Sequence, residues 1–427
     1  MSHDTSLLPP AGSPAPPAAR RRWPALLVLV LLGVGAWRLW RGVEAFREAP
    51  AAPEAPASLA EALSGPDDAP PRPGPWGELR IQRLTLERPD EFISLPAGDP
   101  PAPAWFFVGF TPAQLTQFLA RVPLGAAAAQ ALGNPSAWQV RPDGVIVLPS
   151  RELVLGLSRE ARGMLYNQLG RFPQNSAQFH VFKYRRERLA EWLDGSGLTK
   201  EARGLFEQYL YDQGASLCFA DFFEVAGQLP TQAERRRLLK TLSREPALQV
   251  RLRVHGRSDL DALTRYWGGR GRAKDVRPLL EAVARHPAGG EVDVMALLPP
   301  FARQRLYAHP FPSEDPRDLR RDCTWSALNF FAETPDDRFG DPATALQAIG
   351  TDHYPVKDAP RFGDLVCLFD QDRRLLHTAV YLADRVVFTK NGAYHSQPWL
   401  LADFNDVVAH YSTTQGLQVV AYRSKRD

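Results

Sequence analysis

Of the three cysteines in this 427-residue chain, Cys323 stands behind an aspartate in RRDCTWSALNFF, residues 320–331. Leu328 and Phe331 follow at helical spacing. Asp322 is placed to accept a backbone N–H as an N-cap, which predicts Cys323 in the first turn of a helix. The partial positive charge of a helix start lowers a thiol pKa. The Cys323 N–H would also point to where an oxyanion forms. His377 lies 54 positions on, opening LLHTAVYLADRVVFTKNG (residues 375–392), which reads as a β-hairpin turning near Ala383–Arg385. Asn391 ends the second strand, and hairpin pairing brings it towards His377. Thiol, imidazole and amide make a nucleophile, a base and an orienter for cleaving an amide through an acyl-thioester. Each residue alone also has a structural reading: a filler at a helix start, a core histidine, an Asn-Gly turn.

The elements that must position these groups begin with RFGDLVCLFD (361–370), a turn and a strand. Cys367 alternates there with apolar Val366 and Leu368 and reads as core, as does Cys218 within ASLCFADFF. The order of a helix-borne Cys, a Gly-Asp strand and a His opening a hairpin resembles the NlpC-type branch of the papain-like cysteine peptidases. The matching pieces are DC at 322–323, FGDLV at 362–366 and HTAVYLAD at 377–384. The resemblance covers residues 301–427 and implies a papain-like α+β domain there, with Cys323 as nucleophile and His377 as general base. It also implies a peptide or peptidoglycan-like substrate, since many of the family cut cell-wall stem peptides.

The chain departs from the family at several points. The family follows its Asp-Cys with Ser-Gly, whereas Thr324, Trp325 and Ser326 stand here, and Trp325 would narrow the cleft. Where the family often carries a second His, about a dozen positions after the first, Thr389 and Lys390 stand. Asn391 is therefore put forward on geometry, with His395 as the fallback. A family tyrosine ahead of the nucleophile often helps bind the oxyanion, which makes Tyr307 a candidate beside Asp322 and Trp325 for oxyanion or substrate contacts. The departures keep a second reading open, a binding or scaffold module of the cell envelope that retains the fold without the chemistry. Acyl transfer through the same thioester is a third.

Residues 77–300 read as mostly helical with a few strands. ELRIQRLTL (78–86), DGVIVLPS (143–150) and ALQVRLRVHG (247–256) carry the strand signals. The expected fold class is thus α+β, with a mainly helical middle region ahead of the papain-like domain. Ahead of it, Arg20–Arg22 precede an apolar run from Trp23 to Trp37 that Leu39 and Trp40 extend past Arg38. That is about 18 residues, at the short end of what crosses a bilayer. We expect a disordered cytoplasmic tail over 1–19, a single-pass anchor over 20–41 and a Pro/Ala-rich linker over 42–76. The arginine bias would put the bulk of the chain outside the cytoplasmic membrane. A signal peptide cleaved after Ala36 is the alternative. A formal charge of only +3 argues against a dedicated nucleic-acid binder. Three cysteines without CxxC, and no HExxH, point to neither a disulfide framework nor a metal, and no cofactor is expected.

Overall fold

The computed structural model describes residues 59, 63–66, 69–95, 102–313, 315, 318–393, 396–412 and 416–426. Strand β1 (Glu78–Leu86) is the alternating run ELRIQRLTL. After it the chain builds a lobe of small sheets and short helices over residues 87–244. One sheet holds β2 (Trp105–Val108), β3 (Gln139–Arg141) and β4 (Gly144–Val147) in the order β2-β4-β3. The other holds β5 (Phe182–Arg185), β6 (Tyr211–Gln213) and β7 (Ser216–Phe219) in the order β5-β7-β6. Helix α1 (Arg159–Leu169) covers the first sheet with Leu165 and Tyr166. Helix α2 (Leu189–Leu193) adds Trp192 to the core of the second.

Between these two cores lies a buried charge network. Arg162 Nε donates to Asp221 at 2.7 Å, its other nitrogens donate to the carbonyls of Leu157 and Val154, and Tyr166 Oη donates to Asp221 at 2.5 Å. A bond at each of its three nitrogens and a carboxylate partner make a guanidinium tolerable there.

The lobe ends where it began. Strand β8 (Glu245–Val254) pairs antiparallel with β1 so that Leu86 faces Glu245, and β9 (Gly290–Asp293) completes a sheet ordered β1-β8-β9. Helices α3 (Leu260–Trp267) and α4 (Ala273–Ala284) lie between β8 and β9 in the chain. Their Leu263, Trp267, Val276 and Leu280 share one core with Leu252 and Phe301, and with Trp325, Phe388 and Leu401 from the C-terminal region. The apolar core therefore runs straight through position 300.

The C-terminal region is a six-stranded antiparallel sheet, ordered β10-β15-β11-β12-β13-β14. Its strands are β10 (His353–Pro355), β11 (Leu365–Phe369), β12 (Leu375–Ala383), β13 (Val386–Lys390), β14 (Trp399–Asp403) and β15 (Gln418–Ser424). Helix α5 (Cys323–Leu328) packs against β12 and β13, and helix α6 (Phe404–Tyr411) follows β14. Because successive strand residues point to opposite faces, the sheet buries two sets. Cys367, Val380, Leu382 and Phe388 join the core of Trp325 and Ala327 on the α5 side. Leu368, Ala379, Tyr381 and Val387 join Phe404 and Val407 on the α6 side.

Two expectations are corrected. A single N-terminal transmembrane helix is not supported: among the described residues no helix is long and apolar enough to cross a membrane. The expected span, 20–41, lies outside the described residues. The middle region is mixed α/β rather than mainly helical, since the described residues of 77–300 carry nine strands, β1 to β9. Runs such as FKYR and SLCF are four residues long, and so short a run does not separate a helical period from an alternating one.

Candidate active site

The loop into α5 positions Cys323 through Asp322, whose backbone is extended and whose carboxylate accepts the N–H of Trp325 at 2.9 Å. Cys323 is thus the first residue of the helix. It is also buried, at 8 % exposure, with its Sγ 3.8 Å from Thr324 Oγ1. Thr324 Oγ1 in turn meets Thr378 Oγ1 at 3.2 Å, so α5 touches β12 through Thr378. Burial, with the Asp322 carboxylate second, pushes the thiol up to about 12. Desolvation of the thiolate outweighs what a helix of six residues returns.

His377 is one position earlier in β12 and looks the other way. It has no solvent exposure, and its ring stacks on Tyr411 of α6 with centroids 4.2 Å apart. Nε2 lies 2.7 Å from Thr389 Oγ1, and Nδ1 has no hydrogen-bond partner. Burial, with His410 second, lowers the imidazole to about 3. Cys323 and His377 share no hydrogen bond: the thiol's contacts lie on the Thr378 face and the imidazole's on the α6 face. Neither group is charged at neutral pH.

The Asn391 side chain does not orient His377, whose Nε2 meets Thr389 instead. The recorded β12–β13 pairing reaches only Val380 with Phe388, after a register shift between Tyr381 and Ala383. Beyond it the Asn391 amide donates to Glu245 Oε2 of β8 at 3.2 Å, and its Oδ1 has no partner. Tyr307 is likewise committed elsewhere: its hydroxyl donates to the Leu248 carbonyl at 2.5 Å, and its N–H to the Trp399 carbonyl at 2.7 Å. Trp325 is 1 % exposed, packs edge-on to Phe301 at 5.3 Å and donates to Asp337 at 3.2 Å, so it fills core rather than lining a cleft. His395 lies outside the described residues.

Sequence reading passed over two residues in this neighbourhood. Lys390 is fully buried on the α5 face, its ammonium 5.6 Å from the centre of the Trp399 ring and bonded to the Gly392 carbonyl. The Trp399 indole donates to Ser326 of α5 at 2.9 Å, which ties this strand end to the cysteine helix. Burial lowers Lys390 to about 7, against the fields of Asp322, Cys323 and Glu245. Glu245 is buried in β8, and burial raises it to about 7. A lysine ending the otherwise apolar strand VVFTK was the legible signal for the first. Nothing local marks Glu245, because only the pairing of β8 brings it here.

The FGDLV piece has a structural job. Gly363 sits at φ +94°, and a Cβ there would lie 2.5 Å from the Phe331 ring. Asp364 accepts the Arg361 N–H at 2.7 Å and Nε and Nη2 of Arg423 at 2.9 and 2.7 Å. The described residues hold no cluster of three or more His, Cys, Asp or Glu able to hold a metal ion.

Comparison with protein-family models, with curated proteins and with solved structures gives no match to this chain.

Proposed function

We propose that this protein works as a binding module on an NlpC-like α+β scaffold, with Cys323 a buried core thiol rather than a nucleophile. One observation carries the reading: Cys323 and His377 contact opposite sides of the sheet without a hydrogen bond, each buried and neutral. A thiol hydrolase needs base and nucleophile within hydrogen-bond reach and a thiolate at working pH.

A second reading has an observation in its favour. Lys390, not His377, is the base whose field reaches Cys323, and its pKa near 7 suits a general base. In that reading the neutral amine takes the thiol proton, the thiolate attacks an amide carbonyl, and the ammonium returns the proton to the leaving amine. Water then hydrolyses the thioester.

Incubating the wild type and Cys323→Ala with a mixed peptide pool, and following amide cleavage by mass spectrometry, separates the two. The binding reading expects no cleavage that depends on Cys323. Cleavage by the wild type that Cys323→Ala abolishes would replace it with the hydrolase.

A further inference from the structure

A cavity of about 60 Å³ opens where β1, β5, α2, β8 and α6 meet, on the α6 side of the C-terminal sheet. Five cations line it: Arg83, Lys183, Arg185, Arg188 and Arg244. Glu191, Glu245 and Asp406 line it with them, and from outside the lining Asp403 reaches Arg83 at 3.8 Å and Glu187 reaches Arg185 at 3.5 Å. The two exposed-side acids are shared. Asp406 takes Arg83 at 2.6 Å and Arg185 at 3.1 Å, while Glu191 takes Arg188 at 3.1 Å and Arg83 at 3.4 Å. Arg244 turns to Glu87 outside the cavity, at 3.1 Å. Glu245 is bonded to Asn391, and burial favours its neutral form. Lys183 is left over: among the described residues its ammonium has no carboxylate and no hydrogen bond, and it lines the cavity beside His410. Burial lowers its pKa, which measures the cost of leaving that cation unmatched.

Among the described residues Lys183 is thus the cation of this lining that no carboxylate reaches, and the guanidinium forks around it suit a planar or tetrahedral oxyanion better than they suit a single point charge. A site for one water takes roughly 10–15 Å³ of this kind of volume. The cavity is therefore several waters in size, comparable to an anion of four oxygens. We infer that this cavity binds a phosphate-sized oxyanion, free or as the head of a phosphomonoester, with Lys183 as its direct partner and the surrounding arginines as further donors. This names a ligand class for the binding reading above and rests on that reading for its role. The residues it uses stand apart from Cys323.

The test is calorimetric titration of the full chain with inorganic phosphate at fixed ionic strength, repeated with glycerol phosphate. Saturable one-to-one binding is expected for either titrant, stronger for the one that matches the native source. Lys183→Gln should weaken it by at least about tenfold, a charge-assisted bond lost, and Lys183→Arg should retain it. Circular dichroism checks that both variants fold. No saturable binding by the wild type to either titrant would overturn the inference whether or not the variants fold, and so would unchanged affinity in a folded Lys183→Gln. Amide cleavage dependent on Cys323 would end the binding reading while leaving the phosphate affinity standing.

Discussion

Side-chain parity decides what His377 can do. It shares a face of β12 with Ala379 and Tyr381, both in the core under α6, whereas Thr378 points to α5 and occupies the place beside the thiol. The residue type and the spacing from Cys323 were legible in the sequence, but the face was not. The face is set by the pairing of β12 with β11, Leu368 opposite His377 and Cys367 opposite Thr378, and no residue near His377 announces that register. Glu245 allows a test of the charges around it. Its folded pKa is raised from 4.5 to about 7, so the folded state keeps a proton that the unfolded chain releases above 4.5. Its contribution is therefore full below pH 4.5 and is lost as pH rises towards 7. Lys390, lowered from 10.5 to about 7, slopes the other way over pH 7–10.5. Glu245→Gln should leave stability at pH 4 unchanged and raise it at pH 8 by roughly 1–3 kcal/mol. Urea midpoints at the two pH values check this; a variant equally destabilised at both would mean that Glu245 is ionised in the fold.

Helix α5 is held by its first turn. Asp322 caps it, Ser326 Oγ donates back to the Asp322 carbonyl at 2.7 Å, and Asn329 closes the other end on the carbonyls of Trp325 and Asp336. This much was legible, because an Asp ahead of an amphipathic run is a cap wherever it occurs. The hairpin turn was legible too: Asp384, at φ 48°, sits where the turn was expected. What lay beyond sequence was how far the two strands stay paired, and hence that Asn391 reaches β8 instead of His377. Asp322→Ala should cost about 1 kcal/mol, within the 0.5–2 kcal/mol range of lost caps, and Asp322→Asn should cost a few tenths at most. Denaturant midpoints measure both. Equal losses would show that the charge, and not the cap, holds the turn.

At the scale of the molecule the informative pair is Leu86 and Glu245. Residues that border a long excursion are neighbours in one antiparallel ladder, so the lobe between them is an insertion in a hairpin. Both strands were legible from their alternation, but their pairing was not, because a contact so distant in sequence leaves no local pattern. The lobe carries cores of its own, around Trp105 and Tyr166 and around Trp192 and Phe206, whereas β1, β8 and β9 share theirs with the C-terminal sheet. Replacing residues 88–243 by a short turn should therefore leave a folded chain with near-ultraviolet circular dichroism from Trp267, Trp325 and Trp399. It should also abolish phosphate binding, since Lys183 and α2 are gone. Loss of the aromatic signal would mean that the lobe is part of the central fold.

The most direct test of the account is the alkylation rate of Cys323 in the native full chain as a function of pH, beside His377→Ala and Lys390→Met. With the thiol pushed up to about 12, modification at pH 8 should run roughly a thousandfold below that of a free thiol of pKa ~8.5. It should be as slow as at buried Cys218 and Cys367 and indifferent to either substitution. Fast modification near pH 7 that one of the substitutions abolishes would contradict the account and establish a thiolate paired with that base.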